Sequence, residues 1–172
     1  MKKLFILALA AMFCMAGFAK STQEVINEIT KSTGAQTITL SKDLIAAQAA
    51  AMPENVKALL SNLDGGTLVL LSEGTDEQIK TFNDRVGEID SESYEAMASF
   101  VDESDTIKVF GKCEGDYVTE LFIAFSDDED CALIDVTGKI SKEDAMKLLN
   151  KDMLQQDSLT VNRSLLRIFF SK

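Results

Sequence analysis

The stretch of sequence that decides the fold is TIKVFGKCEGDYVTELFIAFSDDEDCALIDVTGKI, residues 106–140. It contains three β-prone segments, residues 106–113, 117–125 and 131–140, which short polar turns separate. The first turn, residues 114–116, has a central glycine and is short enough for a hairpin. The middle segment is apolar at both alternating sets of positions, so we expect it to lie inside the sheet. The stretch therefore predicts an antiparallel three-strand meander.

The residues before this meander mix strand and helix signals. Apolar and β-prone residues predict strands at 36–40 and 67–72. A helical period predicts a further helix over residues 91–101, with Tyr94, Met97 and Val101 on one face. The starts of four more helices are predicted by capping residues, namely Ser21 with Glu24, Ser41, Thr75 with Gln78, and Ser141. Together these elements predict an α+β fold of two layers. We expect a mixed sheet of about five strands with helices mainly on one face.

The N-terminus has the pattern of a secretory signal peptide. Lys2 and Lys3 precede an apolar run that is too short to span a membrane. Gly17 and Ala19 place small side chains at the −3 and −1 positions of a cleavage site. We therefore expect residues 1–19 to be removed after Ala19, leaving an exported protein that is periplasmic or secreted.

The mature chain is expected to form one domain. Cys14 follows Phe13 rather than a small residue, so we do not expect lipoprotein processing. Residues 20–172 have a length that suits a single α+β domain, and no other apolar stretch has the length of a transmembrane helix. The apolar C-terminal segment, residues 159–170, is expected to dock on the rest of the chain.

The composition is acidic and contains no histidine. The 172 residues include 28 Asp and Glu against 17 Lys and Arg, a formal charge of −11. Such a surface repels nucleic acid and anionic lipid, so we expect neither as a partner. The lack of histidine excludes histidine-based catalytic triads and histidine-ligated zinc or haem. Carboxylates, lysine, tyrosine and cysteine remain as acid–base groups.

Two cysteines, Cys113 and Cys131, remain after the predicted cleavage. An oxidising compartment favours a disulfide, but the meander places these residues at opposite ends of its middle strand, roughly 30 Å apart. A disulfide requires Cα atoms within about 7 Å of each other, so we expect two free thiols. The four acids before Cys131 should raise its pKa, which argues against a nucleophilic role.

The acidic turn Ser-Asp-Asp-Glu-Asp-Cys, residues 126–131, could suggest a calcium site. A calcium loop needs a glycine at its position 6 and a glutamate at its position 12. Counting from Asp127, these positions hold Ala132 and Gly138, and counting from Asp128 fails in the same way. The sequence therefore predicts a solvated hairpin turn with weak, nonspecific cation binding.

Two other motifs have simpler interpretations than a ligand or catalytic site. Residues 64–66, Asp-Gly-Gly, lack the lysine and spacing of a phosphate-binding loop, so we expect a turn. Tyr94 and Glu95 could form an acid–base pair, but the place of Tyr94 on an apolar stripe favours core packing. With 28 acidic side chains some close pairs are inevitable, so no pair is assigned to glycoside hydrolysis. We assign no catalytic, cofactor-binding or metal-binding residue and expect no cofactor.

A further set of motifs runs through the second half of the chain: Tyr94-Glu95, Asp102, Glu120, and Leu133-Ile134 followed by Gly138 and Ile140. Their order resembles a family of exported bacterial proteins known only as a domain of unknown function, widespread in Bacteroidetes-type bacteria. The resemblance covers nearly all of residues 20–172 and implies a location in the cell envelope. It implies no activity, because the family supplies no catalytic residues to transfer.

Three hypotheses for function remain open. The first is a non-enzymatic binding or interaction module of the cell envelope, whose partner is an unknown protein or envelope component. The second is a carboxylate-based hydrolase acting on envelope or dietary glycans, and the third is an accessory protein in envelope stress sensing or surface signalling. A deep cleft with two facing carboxylates would favour the hydrolase, whereas an exposed apolar surface would favour the binding module.

Overall fold

The computed structural model describes residues 19–50, 54–102 and 105–148. These residues form six strands and five helices. The predicted docking of the C-terminal segment, residues 159–170, lies outside the described residues. In chain order the elements are α1 (Thr22–Thr33), β1 (Gln36–Ser41), α2 (Lys42–Ala49), α3 (Glu54–Leu60), β2 (Leu63–Leu71), α4 (Asp76–Val86), β3 (Glu95–Asp102), β4 (Asp105–Glu114), β5 (Tyr117–Ser126), β6 (Cys131–Ser141) and α5 (Lys142–Leu148).

All six strands belong to one antiparallel sheet in the order β1-β2-β6-β5-β4-β3. The strands β3 to β6 follow one another as a meander, and β2 pairs with the other side of β6. The predicted α+β class is confirmed. The predicted mixed sheet of about five strands is wrong in detail, because the sheet has six strands, every pairing is antiparallel, and the meander has four strands.

The extra strand is β3, in the segment where a helix was predicted. The predicted stripe of Tyr94, Met97 and Val101 recurs at helical spacing, but these residues also suit a strand. Phe100 and Val101 are aromatic and β-branched residues that favour a strand, and β4 pairs with the segment from Glu95 to Asp102. Pairing with β4 therefore decides the conformation, with one β-bulge between Ala96 and Ala98.

Helices cover both faces of the sheet, so the prediction of helices mainly on one face is also wrong. We call the first side the α1/α4 face, and the second the α2/α3/α5 face. Alternate strand residues point to opposite faces, which separates the core into two clusters. On the α1/α4 face, Val25, Ile26, Ile29, Phe82 and Val86 of the helices pack with Val69, Phe122, Ala124, Cys131 and Leu133. On the α2/α3/α5 face, Ile45, Leu59 and Ala145 of the helices pack with Leu40, Leu68, Val109, Leu121, Val136 and Ile140.

The four predicted helix starts are confirmed by their hydrogen bonds. Ser21 and Glu24 form a reciprocal capping box at α1, and Thr75 and Gln78 form another at α4. The hydroxyl of Ser41 accepts from the backbone N–H of Leu44 at α2. At α5 the Ser141 hydroxyl likewise accepts from the N–H of Asp144, at 3.1 Å.

Residues 64–66 are part of β2 and do not form the predicted turn. The strand begins at Leu63, with a β-bulge between Leu63 and Gly65. A Cβ atom at Gly66 would lie 2.2 Å from the carbonyl oxygen of Asp135 and 2.9 Å from the Cα atom of Val136. Glycine is therefore required where β2 passes close to β6.

Candidate functional site

Two carboxyl groups come together on the α1/α4 face of the sheet. Glu120 lies on β5 and Asp135 on the neighbouring strand β6. In the register of these strands Phe122 is opposite Asp135 and Glu120 is opposite Thr137, so the two acids are diagonal neighbours. Diagonal neighbours on one face are within reach when the side chains are long. The sheet itself therefore positions the pair.

Two hydroxyl groups complete the cluster from above the sheet. Thr22 is the first residue of α1, which the capping box at Ser21 holds in place. Its Oγ1 donates to Oε1 of Glu120 at 2.5 Å, and the Tyr94 hydroxyl donates to the same oxygen at 3.0 Å. The Thr22 and Tyr94 oxygens are 3.5 Å apart. One carboxyl oxygen of Glu120 thus receives two hydrogen bonds.

Asp135 is the least satisfied member of the cluster. Its side chain is 9% exposed, and its Oδ1 atom has no hydrogen-bond partner. Burial raises the pKa of Asp135 to about 7, and the negative charge of Glu120 and a shared hydrogen bond with it act in the same direction. The nearby hydroxyl group of Thr22 has a smaller effect that lowers the pKa of Asp135. Near neutral pH the Asp135 carboxyl therefore exchanges between its neutral and charged forms.

A carboxyl group that titrates near neutral pH can act as a general acid or base, provided that a substrate reaches it. Here the cover is nearly complete, because Thr22 and Tyr94 are 4% and 7% exposed and only Glu120 is half-buried. Burial also raises the pKa of the Tyr94 hydroxyl, so it stays a hydrogen-bond donor. The arrangement can hold a proton between two carboxyl groups inside the fold.

The sequence pointed to half of this cluster. Tyr94 was expected in the core and is buried there, although its hydroxyl contacts Glu120 rather than an acid next to it in sequence. Glu120 entered only through the family resemblance. Thr22 and Asp135 were missed. The available signal was Asp135 itself, a charged residue within an apolar strand segment between Ile134 and Val136.

Both thiols are free, as predicted. Cys131 pairs with Ser126 at one end of β5, and Cys113 pairs with Val118 at the other. They also belong to opposite faces of the sheet, since Cys131 is in the α1/α4 cluster and Cys113 packs against the other one. Burial, together with the negative charges of Asp127 and Asp130, raises the pKa of the Cys131 thiol to about 12.

The acidic turn between β5 and β6 is a hairpin turn, as predicted, but it is not simply solvated. Oδ1 of Asp127 accepts from the backbone N–H groups of Glu129 and Asp130, at 2.8 and 2.7 Å. Oδ1 of Asp130 accepts from the N–H of Glu73, and the carbonyl of Glu129 accepts from the N–H of Gly74. The turn therefore fixes the segment between β2 and α4. Within the described ranges no three His, Cys, Asp or Glu side chains are grouped so that they could hold a metal ion.

A shallow polar cavity of about 280 Å³ lies beside this turn. It is at the opposite end of β5 from Glu120, so it gives no access to the carboxyl pair. Its lining residues come from α4, β4 and the turn: Asp76, Ile79, Lys80, Asn83, Thr106, Ser126, Asp127 and Asp128.

The fold and the cluster define an α+β protein with a six-stranded antiparallel sheet, helices on both faces, and a covered pair of carboxyl groups. The family model described as "Domain of unknown function (DUF4252)" matches residues 14–148. The chain belongs to this family. Comparisons with curated proteins and with solved structures gave no match.

Proposed function

We propose that this chain is an exported protein of the cell envelope that works as a binding or interaction module and not as an enzyme. The observation that carries the proposal is the cover over the carboxyl pair. The pair has the acid–base character that hydrolysis would need, but Thr22 and Tyr94 cover part of Glu120, and Asp135 is buried. An arrangement of this kind supports the fold around it more directly than it serves a substrate.

The contacts of Lys20 support export with cleavage after Ala19. The backbone N–H of Lys20 donates to the carbonyl of Glu88, and its carbonyl accepts from the N–H of Asp90. Nζ of its side chain lies 2.6 Å from Oε2 of Glu28 and 2.7 Å from Oε2 of Glu88. The first residue after the predicted cleavage site is thus anchored on both α1 and the segment after α4. Among the described residues, no helix has the length and apolar character needed to cross a membrane.

Intact-mass spectrometry of protein from the envelope fraction tests export. The expected mass is that of residues 20–172 without a lipid. A diacylglycerol adduct on Cys14, or a chain that retains residues 1–19 in the cytoplasmic fraction, would contradict the proposal.

Crosslinking in the cells that produce the chain, followed by isolation and rebinding, tests the binding role. We expect an envelope protein or polymer that crosslinks and then rebinds the purified chain saturably. A double variant, Glu120→Gln with Asp135→Asn, should rebind it with unchanged affinity once its folding is verified by circular dichroism. Loss of rebinding by the folded double variant would contradict the structural role given to the pair.

A carboxylate-based hydrolase is the second candidate, and the pKa of Asp135 near 7 is the observation that favours it. It requires α1 to move away from Glu120. Release of reducing sugar from envelope glycans by the wild-type chain, abolished by Asp135→Asn alone, would establish this function in place of binding.

A further inference from the structure

The two edges of the sheet differ in how they are protected. The edge strand β1 carries Gln36, Thr37, Thr39 and Ser41, so its exposed positions are polar. The opposite edge strand β3 has an uncharged run over residues 96–101, Ala-Met-Ala-Ser-Phe-Val. In the described part of the sheet β3 pairs only with β4 and is the last strand.

Natural proteins protect an edge strand with lysine, proline, an inward-pointing charge or a β-bulge. The bulge of β3 lies between Ala96 and Ala98, and the run from Ala98 to Val101, where the pairing with β4 is regular, has no lysine, proline or charge. Val101 is 73% exposed, the largest exposure among the large apolar side chains described. The half-buried Phe100 packs from the same strand against the α2/α3/α5 cluster. A strand that pairs here would thus find backbone groups and apolar side chains together.

We propose that β3 binds an extended peptide segment of another protein by β-strand addition, with β-branched or apolar residues at its centre and lysine or arginine at its ends. The backbone of Ala98–Val101 supplies the hydrogen bonds, and Val101 and Phe100 supply the side-chain contacts. This inference rests on the binding role proposed above and names the surface and the partner's chemistry.

The charges at the ends of β3 determine which kind of segment binds there. An acidic residue stands at each end of the strand in the sequence, Glu95 at one end and Asp102 at the other. Nζ of Lys142 lies 3.5 Å from Oε2 of Glu95 and offsets part of the charge at that end. A second copy of this chain would bring together two molecules of formal charge −11, which repel each other. A peptide with basic ends is attracted instead.

Site-specific photo-crosslinking on the full mature chain tests the proposal. A benzoylphenylalanine is placed at Val101, and a matched one at Thr39 on the other edge. The probe is the peptide Lys-Thr-Val-Thr-Val-Thr-Val-Lys, compared with the same peptide carrying Glu at both ends. We expect the lysine-ended peptide to crosslink at position 101 and not at position 39. Its affinity for the unmodified chain should exceed that of the glutamate-ended peptide by about tenfold.

Two substitutions sharpen the result without disturbing the core. Val101→Lys places a charge on the edge and should weaken binding of the lysine-ended peptide by about tenfold. Val101→Thr keeps a β-branched side chain and should leave binding nearly unchanged.

Several outcomes would overturn the proposal. They are equal binding of both peptides, equal crosslinking at both edges, a crosslink from position 101 to a second copy, and a crosslink from position 101 to residues 149–172 of the same chain. The last two would assign the edge to self-association or to the chain's own C-terminal segment. If no peptide binds while the native partner still rebinds the purified chain, the binding role stands and the edge is not its surface.

Discussion

The two faces of the sheet are covered in different ways. On the α1/α4 face lie two helices of 12 and 11 residues, each starting with a complete capping box. On the α2/α3/α5 face lie three helices of only 7 or 8 residues. The buried polar side chains in the described ranges all belong to the α1/α4 face: Thr22, Thr33, Ser126 and Asp135.

This difference shows where the fold tolerates polar groups. A buried polar side chain needs partners held at fixed distances, and the long capped helices provide them. Thr22 of α1 donates to Glu120, and Asn83 of α4 accepts from Ser126 at 3.0 Å. Among the described residues, the buried side chains that pack on the other face with the short helices are all apolar. Several strand residues there, such as Ile123 and Ile134, remain half-buried. We therefore expect substitutions on the two faces to have different effects.

The largest expected effect on stability comes from substituting Phe122 on β5, and its neighbour Ile123, which points to the opposite face, provides the comparison. Phe122 is fully buried on the α1/α4 face, with its ring centroid 6.1 Å from that of Phe110. Phe122→Ala should lower the free energy of unfolding by about 3–5 kcal/mol. Ile123→Ala on the other face removes a half-buried side chain and should cost only about 1–2 kcal/mol. Urea denaturation measures both, and equal losses would mean that the two faces are covered equally.

The next effect concerns the pH dependence of stability. The folded state raises the pKa of Asp135 to about 7 from an ordinary value of 3.8, so it holds a proton that the unfolded chain releases. This stabilisation is complete below about pH 4 and is lost as the pH rises through about 7. Asp135→Asn should therefore reduce the fall in unfolding free energy over this range, by up to about 4 kcal/mol.

The measurement is urea denaturation of both proteins at several pH values. A hydrogen bond from Ser93 lowers the pKa of Asp90, so carboxylates of this kind make the folded state more stable as the pH rises. They are present in both proteins, so their contribution cancels in the difference between the two pH profiles. Asp128→Asn in the exposed part of the acidic turn is the control. If that control changes the pH profile as much as Asp135→Asn does, the buried pair is not the cause.

Smaller effects are expected at the helix starts. Thr75→Ala breaks the capping box of α4, which holds Phe82 in the core, and should cost about 1 kcal/mol. Ser41→Ala removes a single capping bond from the short helix α2 and should cost about 0.5 kcal/mol. Thermal and urea melts compare the two. If Ser41→Ala lowered the free energy of unfolding more than Thr75→Ala does, the packing of the α2/α3/α5 face would depend on its short helices more than their length indicates.

The smallest predicted difference is in the reactivity of the two thiols, and it does not involve a change in stability. In the native protein at about pH 8, iodoacetamide should modify the half-buried Cys113 well before Cys131, because burial keeps Cys131 protonated and covered. After denaturation without a reductant both thiols should react. Mass spectrometry of the alkylated protein follows both reactions. Failure to label either cysteine in the denatured chain would reveal a disulfide and contradict the strand order.

The elements that the sequence predicted correctly depend on short-range interactions. A capping box requires residues three positions apart, and both boxes, at Ser21 and Thr75, are present. The strands 106–113, 117–125 and 131–140 also lie close to their observed bounds, since each contains many β-prone residues between polar turns. The separation of the cysteines followed from strand order alone.

The features that were not predicted depend on distant parts of the chain. Residues 94–101 fit a helix as well as a strand, and only the pairing with β4 decides between them. The carboxyl pair requires the register of β5 on β6 and the position of Thr22 above both strands. Neither can be obtained from local periodicity, so Asp135 was missed although it is a charged residue in an apolar strand.

The position of β6 in the middle of the sheet has a consequence for folding kinetics. The meander β3 to β6 contains only pairings between consecutive strands, which form quickly because the closing loops are short. The strands β1 and β2, which are connected through α2 and α3, join the rest of the sheet only through β6, where Leu71 pairs with Cys131 across a long stretch of chain. In a chain synthesised from its N-terminus, β2 therefore waits with one side unpaired until β6 has been made. We therefore expect this late pairing to be the slowest step of folding and the one most open to aggregation.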